Sequence, residues 1–229
     1  KQLFKIIELM GHDWYKGMEH VSFGMVSYEG RALSTREGYV VYLEDLLNKA
    51  VEKAREIIEE KSPNLPNKDE VARQVGVGAV VYFDLHNDRN KDIDFRWERA
   101  LNFDGETGPY VQYTHARCCS VLRKAAEAGI DFSAVPEGVA YLPEEIALVK
   151  SLTEYPAVVK SAGDNFAPSI IGAYVYELAK SFNGYYHDHS ILKEECTTTR
   201  DMRLRLAEQV ARTIRLAMAL LGIDVPERM

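Results

Sequence analysis

The 229-residue sequence has only three cysteines, Cys118, Cys119 and Cys196. Two of them are adjacent and the third is distant, which is no disulfide framework; reduced thiols are expected. No run approaches the roughly eighteen apolar residues of a membrane span. No basic stretch leads into an apolar run and a cleavage site, so no signal peptide is expected. The chain lacks a P-loop, an H-E-x-x-H and a paired C-x-x-C, which removes Walker-type and common metal-enzyme readings; no metal site is expected. It also lacks positive charge: 28 Lys and Arg stand against 35 Asp and Glu, a net of −7. Bulk charge therefore offers no support for a nucleic-acid binder, although binding depends on local patches. The chain opens on Lys1 rather than Met, which reads as a cut or processed chain.

What is present is ordinary for a folded protein. Hydrophobic residues make up 46% and charged residues 28%, enough to bury a real core in one large or two small domains. Leu3, Ile6, Ile7 and Met10 predict a short helix over 2–10, stopped by Gly11. Alternation in Val21–Met25 predicts a strand, Ser27–Gly38 a polar loop, and Val40–Tyr42 another brief strand. Leu43, Leu46, Leu47, Ala50, Val51, Ala54, Ile57 and Ile58 mark an amphipathic helix ending before Pro63 and Pro66. Asn67 is placed to cap the next helix, to about Leu85, which buries Val71, Val75, Ala79 and Tyr82. His86–Asp94 reads as a charged loop. Pro109 opens a long helix closed by Gly129. Pro143–Leu152, Tyr155–Ala162, Pro168–Phe182 and Thr199–Leu221 read as further helices, the last with a stripe of Leu206, Val210, Ile214, Ala217 and Leu221. The strands are confined to the first 45 residues, and the fold class is mainly α.

Several features could carry chemistry, each beside a plainer reading. Gly76-Val77-Gly78 lies inside a helical pattern and reads as close helix packing. His187-Asp188-His189 puts its histidines on different helix faces with no third ligand, which disfavours a metal. The loop Arg31–Gly38, rich in hydroxyls and ended by glycine, is either a phosphate cradle or a solvated turn. Tyr110, Tyr113 and Arg117 share one helix face, while Val111, Cys118 and Leu122 line the core side. Aromatics beside arginine suit a single-stranded RNA loop, with π-faces for bases and a cation for phosphates; alternatively the tyrosines finish the bundle core. Arg200, Arg203, Arg205, Arg212 and Arg215 stand against Asp201 and Glu208, a local excess of three positive charges. Arg205 and Arg212 share a face away from the stripe, open to phosphate or to solvent.

Three segments carry a family likeness. Val21-Ser-Phe-Gly-Met-Val26, Leu33-Ser-Thr-Arg-Glu-Gly38 and Val40-Val-Tyr-Leu-Glu-Asp-Leu-Leu47 form the first. Ala100-Leu-Asn-Phe-Asp-Gly-Glu-Thr-Gly-Pro-Tyr-Val-Gln-Tyr-Thr-His-Ala-Arg117 is the second, and Leu220-Leu-Gly-Ile-Asp-Val-Pro-Glu-Arg-Met229 the third. Together they resemble the arginyl-tRNA synthetases, class I enzymes that use ATP to activate arginine and pass it to tRNA. The resemblance implies that residues 1–104 are the end of a Rossmann-type catalytic domain, with a KMSKS-like loop and stem-contact helices. Residues 105–229 would be an all-α anticodon-binding bundle. It places the KMSKS-like signature on Leu33, Ser34, Thr35 and Arg36, with Thr35 where the second lysine stands and Arg36 chosen to meet ATP. Ser34, Thr35 and Arg36 are thus the expected catalytic residues, and Met25, Ser34, Arg36 and Gly38 the expected ATP contacts. Gly105, Tyr110, Tyr113, Arg117, Tyr186 and Met229 are expected to approach the anticodon loop.

The resemblance further implies ATP with Mg2+ as substrate of the full-length enzyme, no tightly bound cofactor in this stretch, and arginine and tRNA as partners. A cytoplasmic monomer without membrane contact is expected. The H-x-G-H motif of class I synthetases is absent, so the arginine pocket would lie upstream of Lys1, and this chain alone is expected not to activate arginine. An alternative is a stand-alone RNA-binding relative without catalysis; a third reading is a helical scaffold with no RNA role.

Overall fold

The computed structural model describes residues 2–34, 36–134 and 138–229. Helix α1 spans Gln2–Leu9, and Gly11 stops it at φ +83°, as expected. Only its Ile7 is buried; Leu3, Ile6 and Leu9 are exposed, as are Trp14, Phe23 and Met25 beyond it.

The strands lie where local pattern is weakest. β1 is Val26–Tyr28, not Val21–Met25. It turns through Glu29 and Gly30, both at positive φ, into β2 at Arg31–Ala32. That tight turn replaces half of the expected loop, because two left-handed residues match the twist of a hairpin. Val40–Tyr42 forms no strand; only Tyr39 bridges back, to Ser34. β3, Ile93–Phe95, comes from the segment read as a charged loop and pairs parallel with β1. The sheet order is β2-β1-β3, so strands are not confined to the first 45 residues. Three-residue strands are too short to show an alternation, and β3 owes its pairing to distant β1.

Helices α2 (Leu43–Lys61) and α3 (Lys68–Leu85) pack as a hairpin. Their closeness depends on Gly76, where an added Cβ would stand 2.6 Å from the backbone nitrogen of Val51, confirming the close-packing reading of Gly76-Val77-Gly78. Asn67 does precede α3, but at φ 57° with no side-chain cap bond, so it serves as a turn residue instead of the expected cap. Ala50, Ala54, Val75, Phe83, Phe95 and Trp97 build a first core with the short α4, Trp97–Ala100.

The second core lies among α5 (Gly108–Glu127), α6 (Pro143–Asp164), α7 (Ser169–Asp188) and α8 (Thr197–Leu220). Thr107 caps α5 by accepting from the Tyr110 N–H. The stripe of α8 is buried as expected. Two expected helices prove to be one, since Pro156 sits inside α6. A proline costs about 3 kcal/mol in a helix interior, but Tyr155 stacks on Tyr174, whose hydroxyl bonds Ser151 O, and packing on α7 outweighs it. Helix α7 continues past Phe182 and carries Asn183, Tyr185 and Tyr186.

The tail after α8 folds back between the two cores. Gln112 Nε2 donates to Gln74 O on α3 and to Asp224 O in the tail. Met229 packs against the first core.

Candidate functional site

Helix α5 is pressed onto α3 at its start: a Cβ on Gly108 would lie 2.9 Å from Gly78 O. That contact fixes which way α5 faces. Tyr113 and Arg117, four residues apart, point toward the end of α7. The Arg117 guanidinium lies 4.8 Å from the Tyr113 ring centre and 5.5 Å from that of Tyr186. Its Nη1 donates to Asn183 Oδ1. Tyr186 in turn stacks on buried Phe182. A cation is thus held between two tyrosines, with Tyr113 still 41% exposed.

Tyr113, Arg117 and Tyr186 line a cavity of about 640 Å3 that also takes in Arg123, Arg228 and Met229. Its opposite wall is the α2–α3 turn, Ser62–Pro66. Three arginines and no carboxylate side chain face this space. A neighbouring cavity of about 430 Å3 shares Ser62, Tyr113, Arg117 and Met229 and adds Lys61, Phe103 and one carboxylate, Asp104, against the four cations of the two cavities. The local charge is therefore positive although the chain as a whole is acidic, the condition under which phosphates bind.

Of the residues expected at the anticodon loop, Tyr113, Arg117, Tyr186 and Met229 are brought together around this cavity. Tyr110 does not line either cavity: its ring turns to Tyr176, 5.5 Å away, at the edge of the bundle core. Gly105 stays in the preceding turn beside Asn102. A shared helix face did not suffice, because Tyr110 is a full turn nearer the α3 contact. Asn183, Arg123, Arg228 and the Ser62–Pro66 wall went unsought. Asn183 is three residues before Tyr186, so a longer α7 would have placed both on one face. The wall had no local signal beyond its two prolines.

The hairpin loop is built differently. Ser34 and Tyr39 exchange both backbone hydrogen bonds, at 2.9 and 3.0 Å, and Gly38 turns at φ 72°. The Arg31 guanidinium covers the Tyr39 ring at 4.0 Å. Asp94 Oδ1 accepts from the Gly30 N–H and Ser27 Oγ, and Oδ2 from Arg96 Nε; chiefly the Arg96 bond holds the Asp94 carboxyl below the usual range. Ser34 is half-buried, and Arg36 and Gly38 are exposed on the loop. Met25 lines a separate cavity of about 270 Å3 with Phe23 and Asp84. Thr35 lies outside the described residues.

The arginines of α8 do not form one open face. Arg203 is buried in ion pairs with Glu145 and Glu194. Arg200 pairs with Asp201 and Arg205 with Glu208, whereas Arg212 and Arg215 are exposed. No group of three metal-binding side chains occurs among the described residues; His189 packs on the Tyr185 ring.

Two family models match the chain. Residues 1–97 match "tRNA synthetases class I (R), catalytic domain", and residues 111–229 match "DALR anticodon binding domain". The chain belongs to the arginyl-tRNA synthetase family. It is 47% identical over its whole length to the arginine–tRNA ligase of Alkaliphilus metalliredigens and 48% to that of Halothermothrix orenii, and covers 40% of each. The arginyl-tRNA synthetase of Thermus thermophilus is similar in structure, with a TM-score of 0.88 and 35% identity over 97% of this chain and 38% of that one. The chain thus spans about two-fifths of the length of the family members it matches. A small mixed sheet followed by a helical bundle is the fold expected for this family. Among the described residues no helix is long and apolar enough to cross a membrane.

Proposed function

We propose that this chain is the part of an arginine–tRNA ligase that reads the anticodon loop and supplies the KMSKS-like hairpin. The observation that carries this is Arg117 clasped between Tyr113 and Tyr186 in a cavity rimmed by further arginines. Unstacked bases find aromatic faces there, and phosphates find guanidinium groups. Met229 closes the same cavity. Gly105 and Tyr110 then act from behind it, shaping the start of α5.

Residues 1–104 are the end of the catalytic domain and 105–229 the anticodon-binding domain; the two cores support this division, although Tyr82 of α3 reaches into the second and Met229 packs against the first. Exposed apolar side chains such as Phe23, Met25 and Tyr42 suit a surface that packs within a larger catalytic domain. In the whole enzyme Ser34, Thr35 and Arg36 lie at the ATP phosphates, flanked by Met25 and Gly38, and ATP with Mg2+ is a substrate of the two-step reaction. The hairpin presents Arg36 to solvent, free to meet a phosphate. The family suggests a cytoplasmic monomer.

Chemical footprinting of arginine tRNA bound to this chain tests the reading. Protection concentrated in the anticodon loop supports it. Protection confined to the acceptor end, or none at low salt, refutes it. Arginine-dependent ATP–pyrophosphate exchange is expected to be absent for the 229 residues alone.

A further inference from the structure

The Arg117 guanidinium is not free to rotate between its two tyrosines, and the cause is a polar relay buried behind it. Thr114 Oγ1 donates to Tyr110 O, 2.9 Å away, within α5. Its proton being spent there, the hydroxyl can only accept from Asn183, and Asn183 Nδ2 stands 2.8 Å from it. The amide nitrogen is thereby fixed toward Thr114, so Oδ1 must face the other way. There it accepts from Arg117 Nη1. Thr114 is fully buried and Asn183 half-buried, so water competes poorly for these bonds. A guanidinium has five donors in a rigid plane; anchoring one of them sets the directions of the rest.

We propose that Asn183 is a positioning residue for RNA binding: it aims Arg117 into the cavity and acts only through it. This rests on the anticodon-site reading. An amide suits the task because it accepts from the cation without neutralising it. An aspartate there would cancel the charge that phosphate requires.

A double-mutant cycle on tRNA affinity tests this with the whole chain: wild type, Asn183→Ala, Arg117→Ala and the pair, with a thermal melt on each. Asn183→Ala is expected to weaken binding about tenfold in the wild-type background, within the usual range for coupled contacts. In the Arg117→Ala background the same change is expected to matter less than about twofold. Thr114→Val removes the hydroxyl that orients the amide and should give a smaller loss, likewise only when Arg117 is present; it answers the question if Asn183→Ala melts early. Equal losses in both backgrounds, or no loss from Asn183→Ala where Arg117→Ala does weaken binding, overturn the proposal. If Arg117→Ala itself binds like wild type, the anticodon-site reading fails first.

Discussion

Arg203 Nε donates to Glu145 Oε1 at 2.9 Å, joining α8 to α6 through two buried side chains. The same oxygen accepts from the Tyr185 hydroxyl, and Oε2 accepts from the Leu142 N–H that begins α6. Arg203→Met would leave the carboxylate buried without its cation. A loss of about 3–5 kcal/mol is expected, read from urea unfolding. A loss below about 1 kcal/mol would show that the carboxylate is not committed to this pair.

Gly76 and Gly184 should respond oppositely to alanine. At Gly76 the new methyl meets the backbone of Ala50 and Val51 at 2.6–2.7 Å, and overpacking of this kind costs about 1–3 kcal/mol. At Gly184, inside α7, nothing lies within 4 Å. Alanine there should stabilise by about 0.5–1 kcal/mol. Urea midpoints for the two variants check both signs.

Tyr113 separates binding from folding. The residue is 41% exposed, so Tyr113→Ala should barely move the unfolding midpoint. If a base stacks on it, tRNA binding weakens by about 1–3 kcal/mol. Unchanged binding with an early melt would return it to the core reading.

His115 sets a pH dependence. Its Nδ1–H donates to Pro226 O at 2.9 Å, pinning the tail to α5. Burial holds its pKa below the usual 6.5, and Arg215 pushes the same way. The unfolded chain therefore takes up the proton more readily than the folded one. Stability from the neutral ring is intact above pH 6.5 and is lost as pH falls below it. Between pH 7 and 5 the urea midpoint of wild type should fall more steeply than that of His115→Gln. Parallel curves would contradict this.

How far the sequence carried the reading depends on whether the cause was local. The α2 pattern from Leu43 to Ile58 and the α8 stripe from Leu206 to Leu221 are helical faces written every three or four residues, and both were legible. Gly76 was legible for the same reason. β3 was not, because its partner Val26 is 67 residues away from Ile93. The excess of arginine on α8 misled in part: Arg203 turns inward to Glu145, a partner no spacing rule reveals. The site was half legible. Tyr113 and Arg117 share a helix face, but Asn183 and the Ser62–Pro66 wall join them only through tertiary packing.

The most direct measurement is the affinity of this chain for an isolated anticodon stem-loop of arginine tRNA, with and without Arg117→Ala. Wild type should bind, with a salt dependence that reflects phosphate contacts. The variant should bind at least about tenfold more weakly while melting at the same temperature. Equal binding by the two would contradict the account.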